Sequence, residues 1–326
     1  LANIGDNIPQ AFPSRQNGVL RGVKVAILVV GSVALDSVET PFGKVEDALG
    51  GSATYFGVSA SSFTPVKLVA AVGTDFPAKH VDLLKKHKID TTGLEKMEGK
   101  TFRWAGVYET NMNNRRTLST CLNVFEKFSP KIPESYQDIP YLFLANIDPD
   151  LQYDVLDKVS RRKRPKLIAL DTMNLWIDIK KESLIKVLKK ADILLINESE
   201  ARQFAQEHNL VKAANIILAH GPKAVVIKQG EYGALYFSKT TVFSAPAYLL
   251  ESVCDPTGAG DSFAGGFFGY LAKKGKLDDK TVRQAMIYGT VMGSFCCQGF
   301  SLDKLCKISQ KDIQKRYKEI KELTVF

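Results

Sequence analysis

Residues 255 to 261 read Asp255-Pro256-Thr257-Gly258-Ala259-Gly260-Asp261, and small and apolar residues continue from Ser262 to Leu271. Two glycines flank an alanine, so the backbone can approach a ligand with no Cβ in the way. A helix starting here turns unpartnered N–H groups outward, with the positive end of its dipole behind them. That is an anion site, suited to a phosphate. Asp261 stands at its rim. Such a carboxylate takes a proton from an attacking hydroxyl, helps hold a metal, or simply caps the helix.

Other polar residues recur at the ends of apolar runs. Residues 24–31 form a β-branched run closing on Gly31, and Asp36 follows five residues later. Gly50-Gly51-Ser52-Ala53-Thr54-Tyr55-Phe56-Gly57 is a second glycine turn into a helix of small residues. Val72-Gly73-Thr74-Asp75 closes another apolar run. Asn197-Glu198-Ser199-Glu200 follows the apolar stretch 192–196, and Lys228-Gln229-Gly230-Glu231-Tyr232-Gly233-Ala234 follows the stretch 224–228.

In this order, and with residues 255–261 last, these segments resemble the signatures of the ribokinase-like (PfkB) carbohydrate and nucleoside kinases, from about residue 24 to the C-terminus. The resemblance implies an α/β fold, a doubly wound and mostly parallel sheet with a small β-strand lid. It also implies transfer of the ATP γ-phosphate to a hydroxyl of a sugar or related polyol, with a nucleoside as the alternative acceptor. Asp261 would be the catalytic base, and Gly258, Ala259 and Gly260 the anion hole, with the N–H groups of Ala259, Gly260 and Asp261 steadying the transferred charge. Asp36, Gly50, Gly51 and Tyr55 would bind the acceptor, with Asn123 and Arg103 reaching in from the lid. Asn197, Lys228, Gly230, Gly233, Thr257, Gly258 and Gly260 would contact ATP. Glu200 would hold Mg2+ through water, and Asp255 would lie by a monovalent cation such as K+ or act as a turn residue. A ribokinase carries Asn, Lys and Asn where this chain has Ala34, Ser52 and Tyr55, so the acceptor pocket is expected to be less polar and more aromatic. Tyr55 could stack on the acceptor or pack within its helix. Asp171, Asn174 and Trp176 follow a strand and could also line the site.

Regular elements must position these groups. From about residue 140, strand and helix alternate: strands over 141–145, 166–170, 192–196 and 224–228, helices over 151–162, 180–190, 198–207 and 215–220. Such alternation predicts a parallel sheet covered on both faces, with ligands at the carboxyl ends of the strands. Gly31, Asp171, Asn197 and Gly230 fall at such ends. Residues 102–110 and 115–125 instead read as a hairpin around Asn111-Met112-Asn113-Asn114. One kinase domain is expected over 23–326, with lid strands from about 37–49 and 101–125, after a poorly ordered extension over 1–22.

Bulk composition narrows the remaining classes. The chain has 326 residues, 45% hydrophobic and 24% charged, as in a soluble globular protein. No apolar run approaches the ~20 residues a membrane span needs. Five cysteines without a Cys-x-x-Cys spacing and four histidines argue against a disulfide framework or zinc site and for a reducing cytoplasm. The net charge of +9 comes from dispersed lysines, without the interleaved aromatics of a single-strand binder, so no nucleic-acid partner is expected. No Walker A, Rossmann or protein-kinase signature competes for the phosphate. A sensor that kept the fold without catalysis would have no need of Asp261 and Glu200. An exposed lid edge could pair with a second copy, which makes a homodimer an available assembly.

Overall fold

The computed structural model describes residues 25–161 and 163–325, so the extension expected over 1–22, Lys24 and Arg162 lie outside the described residues. In chain order the elements are β1 (Ile27–Val30), β2 (Ala34–Thr40), β3 (Gly43–Gly50), α1 (Ser52–Ser61), β4 (Val66–Gly73), α2 (Ala78–Lys86), β5 (Ile89–Met97), β6 (Arg103–Tyr108) and β7 (Arg115–Cys121). Then come β8 (Tyr141–Leu144), α3 (Pro149–Ser160), β9 (Leu167–Asp171), α4 (Asn174–Ile179), α5 (Lys181–Leu188), β10 (Ile193–Asn197), α6 (Glu198–Ala205) and α7 (Leu210–Ala219). The chain closes with β11 (Ala224–Lys228), β12 (Ala234–Ser238), β13 (Val242–Ala245), α8 (Ala259–Lys274), α9 (Asp279–Cys296) and α10 (Gln310–Glu322).

Nine strands form one sheet in the order β13-β12-β11-β10-β9-β8-β1-β4-β5. Strands β5 through β11 pair in parallel, and only the β12 and β13 edge is antiparallel. Its central strands are apolar throughout because both faces are covered. On one face Phe56 of α1 stacks on Phe143 of β8 at 3.9 Å between ring centroids, with Phe268 of α8 alongside. On the other, Leu142, Ile168 and Leu194 meet Val155, Leu188 and Ala214 from α3, α5 and α7.

From β1 the chain winds outward to β4 and β5, then returns to β8 on the other side and winds on through β9, β10 and β11. The order therefore reverses between β1 and β8, and a crevice opens beyond their carboxyl ends, where such sheets bind ligands. Packing there is tight. A Cβ on Gly31 would meet the Ala145 Cβ at 2.6 Å.

The second sheet has four strands, β3-β2-β6-β7, inserted after β1 and after β5. The hairpin expected around residues 111–114 is present, closed by Asn114 N–H donating to the Asn111 carbonyl. Its second strand is shorter than expected. β7 ends at Cys121, and Asn123, in the left-handed region at φ 52°, starts a short 3₁₀ turn. The helix expected over 180–190 is present as α5, and a short helix not expected there, α4, precedes it, separated from it by Lys180 at φ −137°.

Candidate active site

The glycine turn before α8 is built as its sequence requires. Gly258 occupies the left-handed region at φ 76° as the N-cap, where a side chain would be strained, and a Cβ there would collide with the Tyr55 ring. Ser262 N–H, the first helical donor, reaches the Gly258 carbonyl at 2.8 Å. Ala259 differs from expectation. Its N–H donates to the Pro256 carbonyl at 3.1 Å within the turn, so fewer than the three expected N–H groups are left unpartnered. The N–H groups of Gly260 and Asp261 remain as first-turn donors with no carbonyl one helical turn back.

Asp261 projects from this first turn. Its desolvated surroundings and the nearby Asp171 carboxylate push its pKa up to about 7, against the opposing pull of Lys228, and Asp36 adds to the rise. Asp36, on β2, is buried. Burial raises it to about 7 although the Gly51 N–H donates to it. Gly50 must be glycine, because its Cβ would overlap the Asp36 carboxylate. Two acids near neutrality in one cleft are suited to exchanging protons with a substrate at physiological pH.

Three expected residues take other roles. Tyr55 is 1% exposed and forms the floor beneath Gly258, so it cannot stack on an acceptor. Arg103 pairs with Asp75 at 2.8 Å and Asp47 at 3.1 Å. It alternates with Trp104 along β6, and Trp104 is the residue in register with Asp36, so Arg103 points away from the Asp36 face. Asn123 uses its amide to donate to the Thr101 carbonyl at 2.9 Å and secures the end of β7.

The same register brings in residues that the sequence reading missed. Trp104, Gly106 and Tyr108 share the Asp36 face, and Trp104 lies flat over Gly106, where a Cβ would overlap its ring. Tyr108 and the Thr257 hydroxyl are 3.2 Å apart, which ties the small sheet to the glycine turn. Arg115, paired with Tyr108 across β6 and β7, lies over the Trp104 ring at 5.1 Å, and its charge acts on Asp36, Glu200 and Asp261 together. The available signal was strand alternation, but it could not be read without the pairing partner.

On the other side, Asn197 and Glu200 form a capping box on α6: the Asn197 side chain accepts from the Glu200 N–H at 2.8 Å, and Glu200 Oε2 accepts from the Asn197 N–H at 2.9 Å. Glu200 Oε1 takes no hydrogen bond from the described residues. Burial raises Glu200 to about 7 despite Lys228. Lys228 extends from β11 to Asp171 at 2.7 Å, with side chains 16% and 4% exposed. Burial alone would lower its ammonium, but Asp171 and Glu200 outweigh that and hold it above its usual value. Gly230 and Gly233 form the positive-φ turn between β11 and β12, and the hairpin tip reaches it: Asn113 Nδ2 donates to Glu231 Oε1 at 2.9 Å. Asp255 is fully buried, its oxygens accepting from the Thr257 N–H at 2.8 Å and the Ser301 N–H at 3.3 Å. Burial pushes its pKa up. Trp176 Nε1 donates to Asn146 Oδ1 at 3.0 Å beside the β8 end, while Asn174 gives its carbonyl to Gln203 at 3.3 Å.

Three raised acids give a signed prediction. Asp36, Glu200 and Asp261 keep their protons in the fold up to about 7, above the carboxylate range of the unfolded chain. The native state thus binds more protons across this window. Stability is full below the unfolded values and falls as pH rises through about 4 to 7. His80 and His87, lowered by burial, pull the other way below their usual pKa. The difference in melting temperature between wild type and Asp36→Asn cancels them. That difference is expected to grow in favour of the variant between pH 5 and 7.5, and a constant difference would contradict the raised Asp36.

The family model for pfkB family carbohydrate kinases matches residues 26–306. The chain belongs to this family. Among curated relatives, it is 29% identical over 259 residues to a cytidine kinase of Thermococcus kodakarensis, covering 78% of this chain and 91% of the relative. A nucleoside kinase of Methanocaldococcus jannaschii superposes with TM-score 0.72 at 19% identity, over 91% of this chain and 100% of that one. A putative ribokinase II of Escherichia coli, solved with ATP and Mg2+, superposes with TM-score 0.75 at 18% identity, over 90% of this chain and 99% of that one. As a PfkB protein the chain is a phosphotransferase with a hydroxyl acceptor, on the ribokinase-like α/β fold anticipated from its signatures. No helix among the described residues is long and apolar enough to cross a membrane.

Proposed function

We propose that this PfkB protein transfers the γ-phosphoryl group of ATP to a hydroxyl of a sugar, free or carried in a nucleoside, with Asp261 as the base. The observation that carries the reading is Asp261 in the first turn of α8, beside the glycine turn and within electrostatic reach of Asp36. Asp36 would hold acceptor hydroxyls, and Trp104, flat on Gly106, would give the pocket an apolar wall. As the acceptor oxygen attacks the γ-phosphorus, Asp261 takes its proton and the bond to ADP breaks. The N–H groups of Gly260 and Asp261, with Arg115, would steady the charge on the moving group. The small sheet would act as a lid that keeps water out, held to the body through Tyr108 and Thr257.

Magnesium fits a supporting place. Among the described residues no cluster of three acids, histidines or cysteines forms a protein cage, and the free Glu200 Oε1 is a hard oxygen donor. An ion arriving with the nucleotide and keeping its waters would suit that arrangement, and when bound it would draw charge from the phosphate oxygens. Asp255 would face a monovalent cation such as K+.

A coupled ADP-release assay tests the reading, with Mg·ATP, K+ or Na+, and a panel of sugars, polyols and nucleosides. Acceptor-dependent ADP formation is expected, with K+ faster than Na+. A protein that binds ATP but turns over no acceptor would favour a sensor, and equal rates in both salts would remove the cation role of Asp255.

A further inference from the structure

Phosphoryl transfer by a base at neutral pH needs that base ionised, and the Asp261 surroundings work against this. The Asp171 and Asp36 carboxylates face it from β9 and β2, and the Tyr55 hydroxyl lies close behind. Among the described residues, Lys228, from β11, and Arg115, from β7, oppose them. Arg115 belongs to the exposed edge strand of the small sheet. Lys228 does not. Its strand lies inside the main sheet between β10 and β12, its ammonium is fixed at 2.7 Å from the buried Asp171 carboxylate, and Asp171 Oδ1 is itself held by the Thr172 N–H at 2.9 Å. The Lys228 Nζ lies 3.2 Å from where a Gly260 Cβ would stand, one residue before Asp261. A Cβ at 260 would press against the ammonium where it approaches the first turn of α8.

Resting on the reading of Asp261 as base, we propose that Lys228, positioned by Asp171, is the fixed cation that draws Asp261 toward its ionised form from within the main sheet. Lys228 is then a positioning residue acting through Asp261, a different task from the nucleotide contact expected from its sequence context. Asp171 has two opposed effects. Its own charge raises Asp261, and its hold on Lys228 brings the counter-charge into range.

The experiment is the pH dependence of kcat for wild type, Lys228→Met, Asp171→Asn and the double variant, with ATP affinity and thermal unfolding followed in parallel. Lys228→Met is expected to move the acidic limb upward by roughly 1–3 units, the effect of an opposite charge at this range on a carboxylate. Asp171→Asn keeps an oxygen that can accept from Lys228 and loses the repulsion, so its limb is expected to move downward. The double variant should fall between them. It also avoids leaving Asp171 buried and unpaired, so it keeps the test available if Lys228→Met fails to fold, since its limb must then lie above that of Asp171→Asn. A purely structural pair would lower stability and leave the limb in place. Coincident limbs in all folded variants would overturn the proposal while the kinase reading stood. A wild type without acceptor-dependent ADP formation would instead overturn the reading on which it rests. Loss of ATP affinity in Lys228→Met with an unmoved limb would return Lys228 to the nucleotide site and also overturn the proposal.

Discussion

Asp261→Asn is expected to leave a folded protein whose phosphoryl transfer is slower by about 10²–10⁴-fold, the usual loss when a general base is removed. Asn has the same shape and keeps a carbonyl oxygen at the first turn of α8, so the helix start survives. It cannot take a proton. The change also removes an acid whose pKa stands at about 7, so the variant should melt at or above the wild-type temperature at pH 8, where wild type carries a desolvated charge. Steady-state ADP release and thermal melts on the same samples read both effects. Wild-type turnover in the variant would remove Asp261 from the mechanism. A large loss of melting temperature would mean that it acts as a structural cap instead.

Gly258→Ala should be nearly as damaging for a different reason. Position 258 has φ 76°, and the new Cβ would run into the Tyr55 ring, which is 1% exposed and cannot retreat. The turn must shift, and the N–H groups of Gly260 and Asp261 shift with it. Loss of one preorganised donor typically costs about 10²–10³-fold in rate. The expected result is a drop of that size in kcat, a smaller change in acceptor KM and a lower melting temperature. Adding Tyr55→Leu should restore part of the kcat by making room below the turn. An undiminished kcat in Gly258→Ala would show that the turn carries no transition-state charge.

The β1 to α8 scaffold was largely legible because its signals are local. The apolar runs at β8, β9, β10 and β11 were read within a residue or two of their observed limits, and the alternation with helices implied the parallel sheet. Gly258, Gly260 and Asp261 were legible together, because a glycine turn and a helix start are consecutive in the chain. Asn197 and Glu200 were legible as a pair, but their capping box on α6 shows that the same spacing also serves the helix end. The small sheet was legible as strands and much less so as a surface. The sequence pattern points to Arg103 and Asn123 in the lid, and carries no mark of Trp104, Tyr108 or Arg115.

The sequence by itself determined the family, the sheet with its covered faces, and the glycine turn with Asp261 at the helix start that follows it, since each rests on neighbouring residues or on a run of one period. Only the tertiary structure decided which residues face the cleft. In a strand, adjacent side chains point to opposite faces, so one step of register exchanges Trp104 for Arg103, and that register is set by pairing with Asp36 on a strand some seventy residues earlier in the chain. Tyr55 became the floor of Gly258 through packing between α1 and α8, and Lys228 met Asp171 because β9, β10 and β11 lie side by side. These contacts join distant parts of the chain, and no local pattern records them.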